Sequence, residues 1–417
     1  MGIKFLHMAD VHLDTAFRNR DPEMRHFLRD TVRSSFKAGI DLAISNDCDA
    51  LLIAGDFFDN ETLSFATEKF IFNEINRLNE ADIKVYYATG NHDPSGVAYR
   101  AANMKWPSNV YIFGRSQPEA VPLTDSKGNT KAIIVGAGHE GTRESENLAR
   151  LFPNIEYDDI PYIGLLHALV TGSSGDTEHE RYAPCVLEDL ESKGYKYWAL
   201  GHIHTRGILS RDPYIIYPGN LTGRNPRETG TKGAYLVEID DNETTVDFYP
   251  LSPICWVNMT EGNLGEAGDF DSLHRILAES IKVKLERENL PGDILLRLNI
   301  EGPCHLYKEL KEEENIETLV EELVLDLNLR YLEIKADNII PPLDPDKYRG
   351  EPHILGTLLS MLDIATDDEE ILLGLSPERL AGFYKKDDEK GKVNYLQSLL
   401  KGLDYEAVAR MVEVDDL

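Results

Sequence analysis

The chain has 417 residues, 42% hydrophobic and 28% charged, enough for buried cores and two or three domains, and inconsistent with wholesale disorder. Lys and Arg number 43 against 73 Asp and Glu, a formal net charge of -30, which argues against a protein held to nucleic acid by a generally basic surface. The excess is uneven, with 25 basic and 37 acidic residues in 1–250 but 18 and 36 in 251–417, so any nucleic-acid contact must come from local basic patches. Cys48, Cys185, Cys255 and Cys304 lie far apart, which suits a reducing compartment and excludes a disulfide scaffold or a thiolate zinc finger. With no signal-peptide pattern at the start and no stretch long enough to span a membrane, the expectation is a soluble, cytoplasmic protein.

In chain order, Ile3–Ala9 reads as a strand, and Asp21-Pro22 opens a helix reaching about Ser45, with Asp as cap and Pro at the first helical position. Ala50–Ala54 and Ile83–Thr89 are further strands around a helix at Leu63–Asn79, the βαβαβ alternation of a layered α/β domain. Residues from about Val110 to Pro250 are strand-rich: Lys131–Ala137, Ile160–Leu166, Tyr197–Leu200, Tyr214–Tyr217, Ala234–Ile239 and Thr245–Tyr249. A boundary is expected near Leu251-Ser252-Pro253. Beyond it, helix 271–289, strand 293–300, helix 306–328 and strand 331–339 predict a compact second domain. Pro341-Pro342-Leu343-Asp344-Pro345 reads as a stiff linker into a helical, acidic tail. The expected domains are therefore 1–252, 253–342 and 343–417.

Five clusters each fall just past the C-terminal end of an expected strand: Asp10-Val11-His12, Gly55-Asp56-Phe57-Phe58-Asp59, Gly90-Asn91-His92-Asp93, His167, and Gly201-His202-Ile203-His204. Strand ends of an α/β sheet are where such folds place ligands. In extended backbone Asp10 and His12 share a side, so both can face one ion, as can His202 and His204. Carboxylate, imidazole and amide donors suit manganese, iron or zinc, and a carboxylate can bridge two ions about 3.5–4 Å apart for in-line phosphoryl displacement. Taken singly, each cluster is ordinary: Gly-Asp is a common turn, and a lone strand-end His is more often a core residue. The ordered set of five is what carries the signal.

These motifs resemble the five-part signature of the calcineurin-like metallophosphoesterase superfamily. The resemblance implies a four-layer αββα sandwich around two divalent metal ions, most simply Mn2+. It implies that Asp10, His12, Asp56 and His204 hold one ion, and that Asp56 bridges to a second held by Asn91, His167 and His202. His92 becomes a non-ligand histidine that assists the leaving group while a metal-activated hydroxide attacks the phosphodiester. Phe5–Asp14, Ala54–Asp59 and Tyr217-Pro218-Gly219-Asn220 are further similar to SbcD-type nuclease subunits. That narrower resemblance implies DNA as substrate, a small α/β capping domain after Pro253, a helical tail that docks an SbcC-like ABC-type ATPase, and a homodimer. Asp59 stands where some repair nucleases carry a second histidine, and the capping region shows no conspicuous basic cluster.

Candidate DNA contacts are Arg18 and Arg20 after the first motif, and Arg224, Arg227 and Lys232 in the loop after Asn220. Arg25, Arg29 and Arg33 line one helix face, where Asp21 and Asp30 are near enough to pair with them. His7 is expected in the packed sheet and His139 in a loop. Other readings are a small-molecule or cyclic-nucleotide phosphodiesterase, a phosphoprotein phosphatase and a non-catalytic scaffold. Against them stand the length after Pro253, the sequence Asp59-Asn60-Glu61 in place of the phosphatase arginine, and the complete ligand set.

Overall fold

The computed structural model describes residues 2–59, 63–96, 104–156, 159–173, 180–240, 243–375 and 389–412. They form two units, one of residues 1–257 with 290–294, the other of 258–289 with 295–417.

The first unit begins β1 (Ile3–Met8), α1 (Pro22–Ser45), β2 (Ala50–Ala54), α2 (Phe65–Glu80), β3 (Lys84–Ala88) and β4 (Val110–Phe113). It continues β5 (Glu119–Thr124), β6 (Thr130–Ala137), β7 (Tyr162–His167), α3 (Leu187–Glu191), β8 (Tyr197–Gly201), β9 (Gly207–Arg211), β10 (Tyr214–Tyr217), β11 (Gly233–Ile239) and β12 (Thr244–Pro250). One six-stranded sheet has the order β12-β11-β1-β2-β3-β4 and the other β5-β6-β7-β8-β10-β9. β1 to β4 are parallel, as are β6, β7, β8 and β10, while the remaining strands pair antiparallel at the sheet margins.

Side-chain alternation explains the layers. On β1 and β2, Leu6, Met8, Leu51 and Ile53 pack with Val32, Phe36 and Ile40 of α1 and Ile71 and Ile75 of α2. Their neighbours Phe5, Leu52 and Ala54 pack with Ile163, Leu165, Tyr197 and Ala199 of the facing sheet. Trp198, Leu200 and Leu166 point outward again, beneath Leu148, Ala149 and Leu190. The result is a four-layer αββα sandwich whose outermost cover on the second sheet is only short helical turns. Each fully buried aliphatic or aromatic side chain contributes about 1.5–3 kcal/mol relative to exposure. α1 starts where expected because Asp21 accepts from Met24 N at 2.9 Å and Pro22 has no N–H to satisfy. Between the sheets, His7 is fully buried, with Nε2 3.2 Å from Leu200 O and Nδ1 2.9 Å from the Tyr197 hydroxyl.

β4, β5 and β9 carry weak sequence signals because they lie at or near sheet edges, where one face stays partly wet. β5 even holds Pro122, which an edge strand tolerates.

The second unit contains the second half of β13 (Ile254–Glu261), then α4 (Phe270–Glu288), nearly all of β14 (Asp293–Pro303), α5 (Glu313–Leu327) and β15 (Tyr331–Ile340), followed by α6 (Ile354–Asp367), α7 (Glu369–Gly374), α8 (Glu389–Leu400) and α9 (Leu403–Met411). Its sheet runs β13-β14-β15, with β14 and β15 parallel around the α5 crossover. Residues just after the expected boundary at Pro253, to which the sequence assigned no element, thus form a strand. The helix expected from Leu306 becomes α-helical at Glu313, after a single tight turn at Glu309–Lys311. Leu343, within the proline-rich segment, is buried with Leu355, Leu359 and Val408, so that segment is packed against the tail helices. Residues 376–388 of the expected helical tail lie outside the described residues. Among the described residues no helix is long and apolar enough to cross a membrane.

Candidate metal centre

β1, β2 and β3 of one sheet and β7 and β8 of the other end at the same place, and each delivers one cluster there. Crossing between the sheets is close: an added Cβ at Gly201 would lie 1.7 Å from Ala54 O, so the last residue of β8 has to be glycine. Gly55 has φ +84°, and its missing Cβ leaves room for the His167 ring, which would otherwise be met at 2.2 Å.

Convergence of the ligands does not come from extended alternation, as the sequence had suggested. Asp10, His12, Asp56 and His202 have φ of 49°, 51°, 49° and 102°, so each turns sharply out of its strand. Left-handed backbone at non-glycine residues costs on the order of 1–3 kcal/mol each and persists where the surroundings over-determine it. Here they do: Asp10 N donates to Gly55 O at 3.1 Å, His12 N to Asp56 O at 3.0 Å, and His202 N to Asp10 Oδ2 at 3.0 Å.

Asp10, His12 and His204, then His12, Asp56 and His92, then Asp10, Asp56 and His167 form overlapping triads with ligand atoms within 4.8 Å of one another. Asp56 Oδ2 is 3.7 Å from His12 Nε2 and 3.5 Å from His167 Nε2, so it stands between two groups of donors. Asn91 Oδ1 lies 3.0 Å from His167 Nε2, and His204 Nε2 lies 3.7 Å from Asp10 Oδ1. His202 belongs to none of the triads. Its Nε2 is 2.8 Å from Glu180 O and its ring centroid is 5.2 Å from that of His167.

Behind the site, the far nitrogen of each inward-facing histidine is fixed. His12 Nδ1 meets Asp59 Oδ1 at 2.8 Å, His167 Nδ1 meets Ala54 O at 2.9 Å, and His204 Nδ1 meets Glu228 Oε1 at 3.0 Å. Each thereby turns Nε2 toward the carboxylates, the orientation a metal ligand needs. Burial lowers the pKa of all three, keeping them neutral and able to coordinate. Burial and the Asp56 charge push Asp10 above its usual range. Asp56, also opposed by burial, is held below it by the imidazoles around it, of which His92 keeps its proton and also donates its backbone N–H. Two such carboxylates ionise together only beside positive charge. His12 Nε2 is buried with no hydrogen-bond partner. The donor set and this orphaned nitrogen fit divalent cations.

His92 differs. Its side chain is 47% exposed and its Nδ1 sits 3.1 Å from Asp59 Oδ1. Its pKa rises to about 9: burial opposes the charge, but the Asp59 hydrogen bond and the Asp56 charge outweigh it.

Residues 3–206 match the calcineurin-like phosphoesterase family. The chain is 33% identical over 305 residues to the uncharacterized metallophosphoesterase YhaO of Bacillus subtilis, covering 72% of each chain. The chain belongs to the calcineurin-like metallophosphoesterase family. It is also 32% identical over 240 residues to the DNA double-strand break repair protein Mre11 of Aeropyrum pernix, covering 56% of this chain and 57% of that one. With the Mre11 protein of Archaeoglobus fulgidus it shares 23% identity over 401 residues, 93% of this chain and 87% of that one. As a metallophosphoesterase it is a phosphoester hydrolase of a family built on a two-metal centre, and its strand ends carry candidate ligands for one.

The candidate DNA contacts divide. Arg18 and Arg227 are exposed, and Arg20 lies over the Trp256 ring at 5.3 Å. Lys232 is 7% exposed with Nζ 2.9 Å from His204 O, and the mostly buried Arg224 has NH2 3.3 Å from Glu228 Oε1. These two basic residues are spent inside the protein, holding the loop that backs His204, so as surface phosphate contacts they are corrected. The helix arginines also face inward to the first motif: Arg29 Nε donates to Thr15 O at 3.0 Å, and Arg33 NH2 to Asp14 Oδ1 at 3.1 Å. His139 does lie in the loop after β6. It is buried with Nε2 2.7 Å from His167 O.

Sequence reasoning missed three carboxylates. Asp93 accepts from Phe57 N at 2.5 Å and Gly90 N at 2.6 Å, tying the second cluster to the third. Asp14 accepts from Ser64 N at 2.6 Å and from the Thr67 hydroxyl, and so joins the first motif to the start of α2. Glu228 has no motif around it at all. Asp93 stands inside the third cluster and Asp14 at the end of the Phe5–Asp14 segment, but nothing in the residue order assigns either a role.

Proposed function

We propose that the protein is a two-metal phosphodiesterase acting on DNA, the nuclease subunit of an SbcCD-like double-strand-break repair complex. The observation that carries the reading is the strand-end array in which Asp56 stands between the Nε2 atoms of His12 and His167, with half-exposed His92 beside it. The similarity to proteins named for double-strand break repair favours DNA over a small phosphodiester.

Asp10, His12, Asp56 and His204 would hold one cation, and Asp56, Asn91, His167 and His202 the second, Mn2+ being the expected ion. Bound there, the pair supplies an activated water near neutral pH and neutralises charge on the phosphoryl oxygens. His92 takes the part of proton donor to the departing oxygen, with Nδ1 anchored on Asp59 so that the rest of the ring faces the substrate side. Arg18, Arg20 and Arg227 are the basic residues placed to meet backbone phosphates. Residues 253–342, most of them in the second unit, are read as the cap, and 343–417 as the docking region for an SbcC-like ABC-type ATPase. Exposed Ile354, Met361, Ile364 and Leu375 supply the apolar contacts for helix-in-groove recognition. A cytoplasmic homodimer is the corresponding assembly.

The test is manganese-dependent cleavage of end-labelled linear and hairpin DNA, run with Asp56→Ala beside the wild type. Cleavage by the wild type, with cleavage and bound manganese both lost in Asp56→Ala, is the expected result. Hydrolysis of bis-(p-nitrophenyl) phosphate without any DNA cleavage, even with the ATPase partner added, would sink the DNA assignment.

A further inference from the structure

Behind His204 lies a buried polar cluster built on one loop. Glu228 Oε1 accepts from His204 Nδ1 at 3.0 Å and Arg224 NH2 at 3.3 Å, and its Oε2 accepts from Arg224 N and Asn220 Nδ2, both at 2.7 Å. Asn220 is fully buried, and its Nδ2 also reaches Thr222 O at 2.6 Å. The loop is pinned further along by Trp256 Nε1 donating to Gly223 O at 3.0 Å, and Lys232 Nζ holds His204 O at 2.9 Å. Glu228 is therefore a carboxylate whose two oxygens are both committed, one to a candidate ligand and its neighbouring cation, one to the loop backbone.

The two contacts at His204 Nδ1 cannot both be hydrogen bonds at once. Arg224 NH2, 3.2 Å away, can only donate and would need Nδ1 as an acceptor, whereas Glu228 Oε1 can only accept and needs Nδ1 to carry the proton. With Nε2 offering its lone pair to a cation, the neutral ring must keep its proton on Nδ1, and Glu228 is the group that stabilises that tautomer. Arg224 then serves Glu228, balancing its charge, so that an anionic carboxylate can stay buried beside the ligands without itself competing for the ion.

We propose that Glu228 is the positioning residue of His204: it fixes the Nδ1–H tautomer and aims Nε2 at the cation shared with Asp10 and His12, with Arg224 as its counter-charge. The inference rests on the two-metal reading of the site but not on the identity of the substrate.

The experiment is Mn2+ titration of the metal-free full chain by calorimetry, for the wild type, Glu228→Gln, His204→Ala and the double variant, with thermal melts in chelator to compare the metal-free folds. The expected result is two binding events in the wild type. In Glu228→Gln one is weakened about 10–100-fold, the usual consequence of losing such an outer partner, and the other is unchanged. The double variant should bind like His204→Ala alone, because Glu228 acts only through that ring. Effects that add in the double variant, or equal weakening of both sites, would overturn the assignment, as would an isotherm in Glu228→Gln unaltered from that of the wild type. The expected pattern of binding across the four proteins, in a wild type that cleaves no DNA even with the ATPase partner added, would refute the nuclease reading and leave Glu228's role supported.

Discussion

The two units handle polarity in opposite ways. Every buried polar or charged residue among the described residues belongs to the first unit, and they gather at its strand ends: Asp10, His12, Asp56, Asp93, His167, His202 and Asn220. The second unit's core is apolar apart from Tyr307 and Cys304, yet it leaves Val283, Leu325, Ile354, Met361, Ile364 and Leu375 exposed. Burying a carboxylate or imidazole is costly unless partners satisfy it, so the first unit accepts a stability penalty for groups that do chemistry. Exposed apolar side chains mark a surface meant for contact. Buried polarity is thus concentrated in the first unit, whereas exposed apolar side chains occur in both, Phe65 of the first being nearly as open as Leu325 of the second.

The largest effect that would break this contrast is on turnover. His92→Gln should keep both manganese ions but slow phosphodiester hydrolysis about 10²–10⁴-fold, the usual contribution of a positioned proton donor. Metal content measured beside kcat checks it, and full activity in the variant would remove His92 from the chemistry.

Next in size is packing in the second unit. Leu359, fully buried beside Leu343 and Val408, should cost about 2–5 kcal/mol on truncation to Ala. Ile354→Lys, at a position 79% exposed, should change stability by no more than about 0.5 kcal/mol. Denaturant unfolding of both variants tests whether exposed apolar residues here are idle in folding. A large loss from Ile354→Lys would mean that they are not.

A further effect concerns pH. Burial drops His7 to about 3, and the neutral ring is fully bonded by Tyr197 and Leu200. Since the folded value lies below the unfolded one, its contribution is intact above about pH 6.5 and is lost as pH falls toward 3, by roughly 1.4 kcal/mol per pH unit. In His7→Gln the fall of stability between pH 6 and pH 4, measured by urea unfolding, should be shallower by about that slope. An unchanged slope would show that His7 does not sense acid.

Much of this was legible from residue order alone. The boundaries of α1 followed from Asp21-Pro22, β2 and β10 were matched residue for residue by their apolar runs, and the five clusters stood out because each follows such a run. Local pattern suffices there because the central strands are buried on both faces and the caps act within one turn. Three-dimensional contact decided the rest. Left-handed backbone at Asp10, His12 and Asp56, and not strand alternation, turns their side chains together. Arg224 and Lys232 read as surface charges until packing placed them behind His204, and Glu228 lies 24 residues from the histidine it holds. A sequence specifies which groups a site can contain, because strand ends and residue types are local. Which nitrogen faces inward, and which carboxylate holds it there, depends on contacts between distant segments that exist only once the two sheets have closed on each other.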